Sequence, residues 1–94
     1  MPSIVLGDRT CPCTGTLEIG RRLSCQIVLP WTGGDNYVSR LHARIAVTPP
    51  GEVTLTDLSE AGLFHNDERL RGGTVTLADG DRIRIGVYEL VFVA

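Results

Sequence analysis

Short apolar runs, broken about every 8 to 12 residues by turn residues, restrict this chain more than any other feature. "SIVLG" opens it, "GTLEIGRR" alternates Leu17 and Ile19 with polar neighbours up to Gly20, and "CQIVLP" stops at Pro30. "LHARIAV" sets Leu41, Ala43, Ile45 and Val47 against His42, Arg44 and Ala46, the period of a half-buried strand. "PPGE" cannot continue a ladder, because proline brings no N–H and fixes φ. "VTLTDL", "TVTL" and "VYELVFVA" are further strands, and "GLFHN" and "ERL" read as two arms around a turn at Asn66 and Asp67. After the Asp-Gly turn of "ADGD", "RIRIG" puts Ile83 and Ile85 on one face and Arg82 and Arg84 on the other. No window carries 3.6-residue periodicity. The pattern predicts one all-β domain over residues 1–94, with about ten to eleven short antiparallel strands in a sandwich or barrel. The same residues suit a whole protein or one domain of a longer chain.

Bulk properties remove several function classes. An apolar fraction of 43% and a charged fraction of 21% are those of an ordinary globular domain. A net charge of -2 argues against a nucleic-acid binder, which carries a basic face. No apolar run nears the ~18 residues of a membrane-spanning helix, so no membrane partner is expected. "MPSIVLGDRT" has neither a basic start nor a long apolar stretch and does not read as a signal peptide. All nine basic residues are arginine, which codon bias in a GC-rich genome explains, making a bacterial source the expectation. Cys11, Cys13 and Cys25 lack the spacing of a redox or zinc motif, and neither His42 nor His65 completes one. Free thiols, no metal, no cofactor and a reduced cytoplasmic setting follow. A Cys11–Cys13 bridge is not expected at that separation.

The polar entry to the "LHARIAV" strand concentrates the candidate chemistry: Ser39, Arg40 and His42. Catalysis would need a nucleophile, a base and an orienting group within mutual reach. Spacing points to no acid for Ser39 and His42, so the expectation is no enzyme. An anion receptor needs a guanidinium, a short hydroxyl donor and close backbone. Arg21, following Gly20 at a strand end, and Ser39 in the next suitable loop supply the first two.

"LEIGRR", "CQIVLP", "VSRLHARI", "VTLTDLSEAGLFHN" and "LADGDRIRIG" occur in the order of a forkhead-associated (FHA) domain, which the chain resembles from about Leu17 to Phe92. The resemblance implies a two-sheet antiparallel β-sandwich whose loops at one end recognise phosphothreonine on partner proteins. It implies that Arg21 and Ser39 contact the phosphate and that Arg40 either contacts the peptide or is a solvated charge. It makes Asn66 either a holder of peptide backbone or a stabiliser of its own turn. His42 organises the loops, and Gly20 and Gly62 admit close backbone.

"LSEAGLF" departs from the family pattern. Where that pattern has threonine or serine and then asparagine before the glycine, this chain has Glu60 and Ala61. A carboxylate ~6 Å from a dianionic phosphate opposes it by about 1 kcal/mol in water and ~5 kcal/mol at an effective dielectric of 20. Losing the asparagine contacts removes ~1–3 kcal/mol more. Weak phosphothreonine binding is therefore the expectation, with a phosphate-independent docking or self-association module on the same fold as the alternative. Glu60 is expected either in solvent or paired with Arg21, Arg22 or Arg40. The loop "PWTGGDNY" is long, and its Trp31 and Tyr37 offer contacts of another kind.

Overall fold

The computed structural model describes residues 2–31, 33–34 and 37–94. Its elements are β1 (Ser3–Leu6), β2 (Arg9–Pro12), β3 (Leu17–Gly20), β4 (Ile27–Val28), β5 (Ala43–Val47), β6 (Val53–Asp57), β7 (Leu63–His65), β8 (Glu68–Leu70), β9 (Thr74–Thr76), β10 (Arg82–Ile85) and β11 (Tyr88–Val93). One sheet runs β2-β1-β11-β10-β7-β8 and the other β4-β3-β5-β6-β9. Of the sandwich or barrel that the strand spacing allowed, this is the two-sheet sandwich that the resemblance implied, with no helix among the described residues.

Alternation dictates which side chains meet between the sheets. Ile19, Ile45 and Leu55 from one sheet and Ile4, Leu63, Ile83, Ile85 and Leu90 from the other are essentially inaccessible to solvent. Arg44, Arg82 and Arg84 occupy the intervening positions and are exposed. A one-residue slip would invert every strand, so the buried face fixes register. It pairs Ala43 with Asp57 and Ile45 with Leu55 across β5–β6, and Ile83 with Leu90 across β10–β11.

Two features differ from the sequence reading. β2 is a strand although "RTCP" has no alternation and ends in proline. It lies at a sheet edge, where a missing N–H is tolerated, and pairs Leu6 with Arg9 through a tight turn at Gly7. In addition, β3 and β4 pair in parallel, Ile19 beside Ile27, whereas all pairs were expected to be antiparallel. Parallel neighbours normally need a long crossover. Here β4 has two residues, so the loop of residues 21–26 only has to double back by about one residue. That loop is closed by Cys25 N–H donating to the Arg22 carbonyl at 3.0 Å. The fold-back brings Arg21 and Arg22 over the end of the sandwich. Cys11, Cys13 and Cys25 are free, and burial pushes the Cys13 and Cys25 thiols up.

Candidate functional site

Backbone hydrogen bonds first join the loop after β3 to the loop before β5. Arg21 N–H donates to the Ser39 carbonyl and Arg22 N–H to the Arg40 carbonyl, both at 3.1 Å. The closeness of the two loops depends on Gly20. A Cβ there would fall inside the Arg40 carbonyl oxygen and lie 2.8 Å from its carbon and 3.0 Å from the Ser39 oxygen. Glycine is thus required for steric access rather than for an unusual φ.

His42, fully buried, ties this pair to a third loop. Ser39 N–H donates to His42 Nδ1 at 3.1 Å, and His42 Nε2 lies 2.8 Å from the Gly62 carbonyl. A backbone N–H can only donate, so Nδ1 is the acceptor and Nε2 carries the proton. Burial pushes the His42 pKa down, outweighing the Gly62 carbonyl and the Asp57 charge, and so favours this neutral tautomer. The strand alternation put His42 on the polar face. The ladder ends at Ala43, however, and the chain turns the ring inward.

Asp57 continues the network and was not singled out in the sequence. It is 2% exposed at the end of β6. Its Oδ2 accepts Gly72 N–H at 2.8 Å and its Oδ1 accepts the Ser59 hydroxyl at 2.6 Å. Gly62 N–H donates in turn to Ser59 Oγ at 2.8 Å. A continuous hydrogen-bonded path therefore runs from Gly72 through Asp57, Ser59, Gly62 and His42 to Ser39. The signal was the Asp-Leu-Ser step, a local side-chain-to-backbone turn pattern. Gly62 itself sits at φ +84°, and a Cβ would come 2.9 Å from the Leu70 carbonyl oxygen.

The side chains over this frame are basic and aromatic. Arg21 Nε donates to the Val38 carbonyl at 2.8 Å and Nη2 to the Tyr37 hydroxyl at 3.3 Å. Its guanidinium carbon is 5.8 Å from the Trp31 ring centre and 5.7 Å from that of Tyr37, with the two rings edge-to-face at 4.7 Å. Arg40 is exposed, while its carbonyl also receives the Cys25 thiol. Glu60 and Ala61 are exposed, and Glu60 forms no ion pair among the described residues. Of the long loop, Thr32, Asp35 and Asn36 lie outside the described residues. A groove of about 550 Å³ leads away from Tyr37 past Gly62 and Phe64 to Arg84, Gly86 and Val87.

Arg21, Ser39, Arg40, His42, Gly20 and Gly62 thus come together, and Asn66 does not join them. β7 separates Asn66 from Gly62 by three strand residues, four steps of the chain or about 13 Å. The Asn66 amide is engaged instead at 2.9 Å with Asp81 Oδ1 and at 2.8 Å with Arg82 N–H. Of the two roles open to Asn66, these bonds are those of a stabiliser of its own turn.

A model of the FHA domain matches residues 17–86. Nibrin of Danio rerio is 41% identical over 87 residues, covering 92% of this chain. The chain spans about a tenth of the length of the curated relatives it matches, 10% in that case. Among solved structures, an FHA domain studied for phosphothreonine-dependent interactions is 34% identical with a TM-score of 0.81, covering 99% of this chain and 95% of its own. EmbR of Mycobacterium tuberculosis, solved with a low-affinity phosphopeptide, is 33% identical with a TM-score of 0.83, covering 98% of this chain and 24% of its own.

Proposed function

Because the chain belongs to the FHA family, we propose that it is a non-catalytic protein-interaction module whose Arg21, Ser39 and Arg40 receive a phosphothreonine of a partner protein. The observation that carries this reading is the pairing of the Arg21 and Ser39 loops, with His42 buried beneath them. Arg21 supplies a guanidinium cation with a planar donor set suited to phosphate oxygens. Ser39 commits its N–H to His42 and, among the described residues, leaves its hydroxyl unbonded, so that Oγ can donate to a ligand. Solved relatives at 33–34% identity, one studied for phosphothreonine-dependent interactions and one in complex with a phosphopeptide, support the same reading.

Glu60 and Ala61 favour a weak site. Ala61 brings no side-chain donor, and its carbonyl is already taken by Arg69 Nη2 at 2.8 Å. Glu60 keeps a negative charge in the loop that His42 ties to Ser39. The second reading, docking without phosphate on the same loops, rests on these two residues. Replacing them separates the two. Glu60→Thr with Ala61→Asn removes a like charge and adds donors, and should tighten phosphothreonine-peptide binding at least tenfold, ~1.4 kcal/mol. Adding Arg21→Ala should abolish the gain. Titration calorimetry on phosphorylated and unphosphorylated degenerate peptides reads both effects, and a double variant as indifferent to phosphate as its parent favours the docking reading.

A further inference from the structure

Large apolar side chains exposed to solvent are unevenly distributed over this molecule. Leu23 is 89% exposed, Val87 69% and Leu58 41%, and Trp31 is also partly exposed. All four belong to the end of the sandwich that holds Arg21 and Ser39. Leu23 is in the loop joined to residues 39–40, Leu58 donates its N–H to the His42 carbonyl at 2.9 Å, and Val87 lines the groove with Tyr37 and Gly62. Among the described residues, the remaining exposed large apolar side chain, Val93, lies at the opposite end, where Gly80 meets Phe92.

Isolated exposed leucines carry little meaning, but a set gathered around one polar centre marks an interaction surface. The centre here is basic: Arg21, Arg22 and Arg40 rise from the two zipped loops of a chain whose net charge is -2. An anion alone would leave the surrounding apolar groups in water. A purely apolar partner would bury the arginines without counter-charge, which is costly. One occupant answers both features. We propose that the apolar collar of Leu23, Leu58 and Val87 recognises aliphatic or aromatic residues flanking the phosphate of a phosphothreonine segment. This rests on the reading of Arg21 and Ser39 as a phosphate seat, and adds the partner's side-chain class. The collar residues sit on three different loops around the seat, so apolar residues are selected on both sides of the phosphothreonine. Removing their apolar surface from water supplies affinity that Glu60 and Ala61 withhold.

The test uses a degenerate peptide library with a fixed phosphothreonine, and the same library with threonine. The native chain should enrich Leu, Ile, Val, Met or Phe on both sides of phosphothreonine. The Leu23→Ser, Val87→Ser double variant should lose that enrichment and bind a selected peptide at least tenfold more weakly. Both side chains are exposed, so an unchanged thermal unfolding midpoint should accompany the loss. Enrichment of charged residues, of none, or of apolar residues that the double variant retains would overturn the collar. Equal apolar enrichment from the unphosphorylated library would uphold the collar and overturn the phosphate seat.

Discussion

Arg21 is held in place before any ligand arrives. Free arginine side chains carry about 2 kcal/mol of rotamer entropy, which binding must otherwise remove. Its bond to the Val38 carbonyl and its stacking beside Trp31 and Tyr37 reduce that cost. A cation–π contact is worth ~0.5–2 kcal/mol, so Trp31→Ala should weaken phosphothreonine binding about two- to thirtyfold while Trp31→Phe recovers most of it. An unchanged affinity in calorimetry would show that the ring does not position Arg21. His42 gives a second residue-level test. Its folded pKa is depressed below the ordinary ~6.5, so between the two values the unfolded chain binds more protons. This contribution to stability is complete above about pH 6.5. It declines as pH falls towards the folded value and levels off below it. A proton-by-proton NMR titration should place the His42 ring below the ordinary histidine range, and a value above it would contradict the neutral bridge.

At the scale of elements, the hairpin of β7 and β8 shows what holds Asn66 apart from the other candidates. Its two-residue turn places Asn66 at φ 50° and Asp67 at φ 69°, the left-handed pair that such hairpins require. Asn66 tolerates this and also braces the start of β10. Asp81, which receives Asn66, is raised by burial but more strongly lowered by hydrogen bonds from Ala78 N–H, Asn66 and His65, with a net downward shift. Asn66→Ala should therefore lower stability by ~1–3 kcal/mol in urea unfolding and leave peptide affinity unchanged. A loss of affinity without a loss of stability would return Asn66 to the binding surface. Legibility also varied by element. The inward faces of β5, β6 and β10 could be read directly, because alternation and burial there are one property. β2 could not, since an edge strand faces little core and leaves no period. The parallel β3–β4 pair was hidden because a two-residue strand has no pattern of its own. The Arg21 and Ser39 positions were visible through ordered motifs, whereas Asp57 looked like an ordinary strand end. Its role depends on the burial that the third loop imposes.

The whole molecule separates its tasks between two ends of one core. Aliphatic side chains from both sheets fix the strands. At one end Gly20, His42 and Asp57 fasten three loops into a frame. At the other, Asp81 gathers His65, Asn66 and Ala78 into a structural knot. A ligand is thus expected to touch loops drawn from several strands at the first end and nothing at the second. Backbone amide shifts on adding phosphothreonine peptides selected from a degenerate library, against the same peptides unphosphorylated, test this most directly. The shifts should centre on Arg21, Ser39, Arg40 and Gly62, depend on the phosphate, and vanish in Arg21→Ala. Shifts that are equal without phosphate, or that centre on Asn66 and Asp81, would contradict the phosphate seat.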